Sequence, residues 1–568
     1  MTPGGGKKGY TRRKRAGLTL FFALLSISQY IGWKLSREGN IRWTLPGTAA
    51  LLAAGLAAGA GAGFGIVALE NRIIRKKAAS SGRKRTKLPG PPCAFGLAAV
   101  SMLLCWAAGY MAYYPGICAY DITIQMGQIV SGSYGTHHPL AHTLLVGLFI
   151  KLGSALGNVN TGMAIYTAFQ MLCLASAFAA GIAWLRALGV RTLWIALTWV
   201  WCCLFPFHIY MSITATKDVF FTVFFLLQLI CFCELLRRGE NRPGRWDAGY
   251  LLSTLGMVLF RNNGMYALLV AAFFMAAGCI LRHDRRRLML RLLAGTLAGI
   301  LAGALGLSLL ARGTGAVQGD KREMLSIPIQ QMARVMLYHG GVGELPEDDA
   351  SMEEQDRQLI DDFLLDEAYR EYRPDIADPV KRHTYTHVVR YRTGEFLDTY
   401  LRLLARYPGD YVNAAFAVNM GYYYIWDVSH AHINENGLER GLGYIQTRWV
   451  EQELADYGIY KDSRWEGLHE LMERYADGNV YLRVPVLRAL MVPGIWLWFW
   501  LALAVYLWIR RKYMLMLPVS FIAGYYLTLV LGPAVQLRYL YPVMAVAPFM
   551  LLYVKTECPG GEPAPETK

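Results

Sequence analysis

A chain of 568 residues that is 54% hydrophobic and 17% charged, with a mean hydropathy of +0.27, departs from soluble globular composition and fits a polytopic membrane protein. The net charge of +16 would suit a nucleic-acid binder, but its distribution argues against one. Residues 312–483 hold 19 of the 57 Lys/Arg and 30 of the 41 Asp/Glu, and the remaining basic charge clusters in short loops between apolar runs, as the positive-inside rule expects.

The basic amino terminus, MTPGGGKKGYTRRKRAG, reads as a flexible cytoplasmic tail. Apolar runs come next at Leu18–Lys34, with no small-residue cleavage site after it, and at Leu45–Leu69, rich in Ala and Gly as close helix packing in lipid requires. The basic stretch NRIIRKKAASSGRKRTK keeps the next loop inside, so the run Phe95–Tyr113 delivers the loop 113–143 to the outer face. Pro139–Leu156 is apolar but short, and reads as a re-entrant or interfacial helix in preference to a span. Spans then alternate at Tyr166–Leu185, Thr192–Tyr210, Val219–Leu236, Tyr250–Leu259, Met265–Leu281 and Leu292–Leu310.

This alternation puts the acidic segment 312–483 outside. Its apolar residues recur three and four apart, the mark of helices, and it is rich in Tyr and Trp at 421–427, Trp449 and Trp465. Those aromatics suit a core, a membrane interface or a sugar-stacking surface. Val486–Ile509, Leu515–Leu531 and Tyr539–Val554 return the chain to a cytoplasmic tail. The expected fold is an all-α polytopic membrane protein with about 12 transmembrane helices plus a mostly helical extracytoplasmic domain. Its divisions fall at 1–90, 91–311, 312–483, 484–555 and 556–568, with both termini cytoplasmic. None of the ten cysteines lies in 312–483, and with no CxxC pair or zinc-like spacing they read as buried thiols. No transporter-type repeat and no Walker A, GxGxxG, GxSxG or HExxH motif occurs.

The stretch YYPGICAYDITIQMGQIVSGSYGTHHPLAHT carries the first candidates. Asp121, at the mouth of a membrane helix, has to be solvated, paired or used; it can serve as general base, orienting carboxylate or interface anchor. His137, His138 and His142 come second. His138 and His142 have the spacing of metal ligands on a helix, but no second cluster supplies further ligands, and phosphate contact, substrate hydrogen bonding or loop capping compete with that reading. Lys217, Arg261 and Arg538 stand at outer ends of spans, against the positive-inside bias. Each alone could snorkel or form a local pair, as Lys217 could with Asp218. Together with Asp121 they would make a cradle for a phosphate or diphosphate, which Lys321 and Arg322 could join.

The YPG-x4-Asp loop followed by HHPL at 137–140 and LGSALGN resembles the GT-C superfamily of membrane glycosyltransferases, among them the protein mannosyltransferases and the aminoarabinose transferase of lipid A. TKD at 216–218, RNNG at 261–264, IPIQQ at 327–331 and RYLYP at 538–542 are similar to elements of uncharacterised bacterial multi-pass proteins of that type. Two extra spans precede the helix leading to Asp121, and His stands where relatives often carry a Lys before the double proline. The resemblance implies a bacterial plasma-membrane enzyme moving a sugar from a polyprenyl-phosphate donor to a cell-envelope glycan, lipid or protein, in contact with membrane lipids and with no nucleic acid. It implies Asp121 as base or acceptor-orienting carboxylate in an inverting displacement. It further implies Arg538, Lys217, Arg261, His137 and His138 on the donor phosphate, and Gln125, Tyr114 and Asn262 on acceptor or sugar. No cofactor is implied with certainty; a divalent metal is compatible but not indicated. A lipid-linked polysaccharide polymerase or ligase, a transporter or flippase, and a sensor or scaffold are the competing classes.

Overall fold

The computed structural model describes residues 3–76, 90–118, 120–239, 244–319, 321–346, 348–426, 454–477 and 480–558. Among them the chain is helical, with isolated β-bridges in place of strands. Helix α1 (Pro3–Glu38) pairs antiparallel with α2 (Leu45–Lys76), and α3 (Pro91–Ala112) comes after them. Two short helices, α4 (Tyr120–Ser131) and α5 (Leu140–Ala155), lead into α6 (Val159–Ala187). Next come α7 (Thr192–Leu204), α8 (Pro206–Ile213), α9 (Lys217–Arg238), α10 (Arg245–Phe260), α11 (Asn262–Leu281) and α12 (Arg286–Thr314). After the hydrophilic segment, which α13 (Ser326–His339) opens, the apolar helices Pro485–Met491, Pro493–Ile509, Tyr513–Val530 and Leu537–Glu557 complete the bundle.

Nine of these helices are long and apolar enough to cross a membrane, or eleven if two bent pairs each count as one span, so the protein is a multi-pass membrane protein. The bends have a common cause. Thr192–Tyr210, expected as one span, breaks by 49° before Pro206, and Val486–Ile509 breaks by 76° before Pro493. Proline lacks the donor that would continue the helix, and its ring clashes with the preceding turn. The twelfth expected span lies in α10, whose 16 residues reach only about 24 Å at about 1.5 Å each, short of a hydrocarbon core of roughly 30 Å. α5 is likewise an apolar helix below spanning length.

The amino-terminal stretch departs from the flexible tail expected of it, because helix α1 begins at Pro3. Its Lys and Arg are good helix formers, and Arg13 is anchored over the Trp508 ring and to the Tyr513 hydroxyl. The continuation of the basic loop beyond residue 76, Trp449, and the carboxyl-terminal tail after Cys558 lie outside the described residues.

The bundle is built around two helices. α9 and Leu537–Glu557 are each 83% buried over their most apolar window, against 22% for α1 and α2, which leave most of their surface facing outward. α1 and α2 pack through the small residues of the Ala/Gly-rich run: a Cβ at Gly59 would overlap the Thr19 carbonyl and the Ala23 backbone. The hydrophilic segment does not behave as one unit. Residues between Ile329 and Tyr411 close a core of their own, around Met332, Ile360, Phe363 and Leu403. Ala417, Met420 and Tyr424 pack on Ile31 and Leu35 of α1, while Leu454 and Ile459 pack on Ile122 and Met126 of α4.

Gly59→Leu should therefore pry α1 from α2, an overpacking penalty of about 1–3 kcal/mol or more, read as a lower Tm of the detergent-purified protein. Gly61→Leu, where a Cβ meets nothing within 4 Å, should leave Tm unchanged.

Candidate functional site

Three backbone bridges assemble the chemistry-bearing segments. Ile117 N–H donates to the Ile213 carbonyl and Ala215 N–H to the Ile117 carbonyl, both at 2.8 Å, which clips the segment before Asp121 to the one before Lys217. Val317 N–H donates to the Tyr134 carbonyl (2.9 Å) and Thr136 N–H to the Val317 carbonyl (3.0 Å), fixing the loop that carries His137 and His138. Ala377 N–H donates to the Pro533 carbonyl (2.8 Å), which ties the hydrophilic segment to the turn leading into Arg538.

Thr216 caps α9, its Oγ1 accepting from Asp218 N–H at 3.4 Å. Lys217 and Asp218 are then the first two residues of the helix and point about 100° apart. The adjacent pair therefore cannot neutralise itself, and each residue finds a partner elsewhere. Lys217 Nζ donates to Asp121 Oδ2 at 2.9 Å and lies 3.1 Å from His138 Nδ1. Asp218 Oδ1 takes the Arg261 guanidinium. Arg538 bridges the two carboxylates, with Nη1 3.1 Å from Asp121 Oδ2 and 3.8 Å from Asp218 Oδ2, and its Nε is held by Gln536 Oε1 at 2.9 Å. Arg261 also lies over the Tyr539, Phe221 and Tyr525 rings.

All five charged side chains are largely withdrawn from solvent; Asp121, Arg261 and Arg538 are 5–7% exposed and Asp218 is fully buried. Burial alone would raise the Asp121 carboxyl, but the Arg538 guanidinium and the Lys217 ammonium outweigh it and hold the group well below the usual carboxylate range. Burial, reinforced by Lys217, pushes the His138 imidazole down to about 3. His138 is therefore neutral at physiological pH and accepts from Lys217 through Nδ1. Its proton sits on Nε2, a buried donor with no partner among the described residues. Three cations face two carboxylates, an excess of one positive charge with an unspent imidazole N–H beside it. This is the donor set of an oxyanion or phosphate site.

Asp121, Lys217, Arg261, Arg538 and His138 thus converge as the sequence suggests. Other candidates do not join them. His137 is exposed and packs on the His138 ring. Gln125 is committed to His142 and Thr143, inside a buried chain that runs from His142 to Tyr166 (2.7 Å) and Gln170 (3.1 Å). Tyr114 lies under Arg464, its carbonyl accepting from Asp462 N–H. Asn262 is exposed at the start of α11. Arg322 donates to the Arg382 carbonyl, and the Lys321 side chain lies outside those described.

His138 precedes α5 and His142 lies within it, so the two do not share a helical face, and each serves a different network. Among the described residues no three His, Cys, Asp or Glu side chains gather as metal ligands. Two site residues escape sequence reasoning. Asp218 is visible in the TKD element but reads there as a local partner of Lys217. Gln536 gives no signal beyond standing next to RYLYP.

The chain belongs to the family of unknown function DUF6020, which it matches over residues 131–563. That region takes in His138, Lys217, Asp218, Arg261 and Arg538 and begins after Asp121. No curated protein and no solved structure matches the chain.

Asp121→Asn removes one partner from two buried cations and should cost about 3–5 kcal/mol, read as a fall in Tm. Because the Asp121 carboxyl is depressed in the folded state, its contribution is complete above the ordinary carboxylate range and is lost progressively as pH falls from there through the lower folded-state value. The wild type should lose stability on acidification more steeply than Asp121→Asn, measured as Tm against pH.

Proposed function

We propose that this DUF6020 protein is a GT-C-like membrane glycosyltransferase that moves a sugar from a polyprenyl-phosphate donor to an acceptor on the outer face of the bacterial plasma membrane. The observation that carries the reading is the convergence of Lys217, Arg261 and Arg538 with Asp121 at one buried point. Positive charge in excess, at the ends of apolar helices, suits a phosphate whose lipid tail lies along the spans. On this reading both termini are cytoplasmic and the hydrophilic segment is extracytoplasmic, beside the reacting end of the donor.

The present ion pairs are the resting state. A donor phosphate would draw Arg538 and Lys217 from Asp121, and His138 Nε2–H would donate to a phosphate oxygen. Losing its cations raises the proton affinity of Asp121, so the carboxylate becomes a base when the donor arrives. The acceptor hydroxyl oxygen then bonds to the anomeric carbon, and the bond from that carbon to the phosphate oxygen breaks. The electron pair leaves with the polyprenyl phosphate, stabilised by Arg538 and Lys217, and the hydroxyl proton passes to Asp121. One displacement with one carboxylate inverts the anomeric centre; retention would need a second carboxylate as nucleophile. Asp218 is held by Arg261 and serves to fix that guanidinium.

The test is transfer from a polyprenyl-phosphate sugar by purified protein, alongside its Tm with and without polyprenyl phosphate. Arg538→Ala should lose the ligand-induced rise in Tm, since only a ligand of the native state stabilises it, and transfer should drop about 10²–10³-fold. Asp121→Asn should retain the Tm rise and lose transfer. Full transfer by Asp121→Asn would overturn the mechanism, and no Tm response of the wild type to any polyprenyl phosphate would overturn the donor assignment.

A further inference from the structure

Away from the cation cluster, the α1–α2 turn and the hydrophilic segment line an open cavity of about 250 Å³ whose walls are half polar and half apolar. One wall is Asn40–Trp43; the other comes from the end of α13 and from residues 409–413. The volume is below the roughly 300–1,000 Å³ of sites for drug-sized ligands and accommodates one sugar ring.

Buried groups hold this lining in place. Arg334, 1% exposed, donates to Asp410 Oδ1 (3.0 Å) and Asn40 Oδ1 (2.9 Å). Asn413, also 1% exposed, donates to Asn40 Oδ1 (2.6 Å) and the Ile41 carbonyl (3.0 Å), and accepts from Trp43 Nε1 (2.8 Å). The Trp43 indole N–H is thereby tied to the protein, and the half-buried ring keeps part of its surface in the cavity lining. Gly409 lies against it, where a Cβ would stand 3.3 Å from Trp43 Cδ1. His339 Nε2 is 2.9 Å from Asp410 Oδ2. A carboxylate offers about four acceptor positions, so Asp410, with one bond to Arg334 and one to His339, keeps capacity for further donors. Arg42 adds donors at the exposed rim.

The chemistry of the lining selects among ligands. Arg334 and His339 are matched by Asp410 and Asp349, so the cavity does not concentrate positive charge for a phosphate. Ile41 is its one aliphatic wall residue, too little for an acyl chain. A rigid aromatic plane framed by a carboxylate and two side-chain amides fits a ring with C–H faces and hydroxyl edges. We propose that this cavity binds one pyranose-sized sugar residue, its ring face on Trp43 and its hydroxyls on Asp410 and Asn40. None of its lining residues belongs to the Asp121 cluster. Binding stands without the transferase reading; the role as a second subsite, gripping a glycan acceptor at a distance from its reacting end, rests on that reading.

The test is saturation-transfer NMR on detergent-purified full-length protein with glucose, galactose, mannose and N-acetylglucosamine at millimolar concentration. At least one sugar should give a saturable signal, weakened about tenfold or more in affinity (about 1.4 kcal/mol) by Trp43→Ala. Gly409→Leu, whose side chain enters the cavity while every lining side chain is kept, should do the same in protein that still elutes as a monodisperse peak. Asp121→Asn should bind as the wild type does. No saturable signal from any of the four sugars, binding that persists in both cavity variants, or binding abolished by Asp121→Asn would overturn the proposal. A wild type that binds sugar at Trp43 but transfers none would remove only the reaction.

Discussion

Five charged side chains, brought out of water at one place, constrain the rest of this structure. An isolated ion in a low-dielectric interior is prohibitively expensive, so Asp121, Asp218, Lys217, Arg261 and Arg538 are tolerable only as an ensemble. Each comes from a segment distant in sequence from its partner. α4, α9, the α10–α11 junction and the helix Leu537–Glu557 must therefore meet in one register. Buried ion pairs contribute little net stability compared with apolar packing of similar volume. Their value lies in fixing which helices touch and, on the proposed reading, in storing positive charge for a donor phosphate.

Much of this is legible along the chain. The apolar runs mark the helices, and Lys217, Arg261 and Arg538 mark the site, because each stands at a span end away from the basic loops in which most of the other cations cluster. The pairing is not legible. Lys217 and Asp218 are adjacent and of opposite sign, yet the helix that starts at Lys217 turns them apart, and only the tertiary fold supplies Asp121 to one and Arg261 to the other. Gln125 illustrates the same limit: the family resemblance implies a substrate contact, whereas His142 and Thr143, brought up by α5, absorb its amide. The broken spans can be anticipated from Pro206 and Pro493, but not their angles, which packing decides.

The hydrophilic segment divides its allegiance in a way its composition conceals. Acidic throughout, it reads as one domain, but among the described residues only those around Ile329–Tyr411 form an independent core. The described residues beyond Tyr411 are laid back onto α1, α3 and α4. Arg334 and Asn413 join this core to the α1–α2 turn, and Ala377 joins it to the turn before Arg538. The two additional amino-terminal helices are thereby more than an extra anchor. They hold one face of the hydrophilic segment while its other face touches the loop that positions an arginine of the site.

The dispersion of the five charges along the chain also bears on how the protein is made. α4 and α9 are made well before Arg538, which follows its partner Asp121 by 417 residues. During insertion, Asp121 has Lys217 to answer it but no guanidinium until the helix Leu537–Glu557 enters the membrane. That late helix is also one of the two most enclosed, so the bundle is completed by an element that packs at its centre, and the five-charge cluster exists only once that helix is in place.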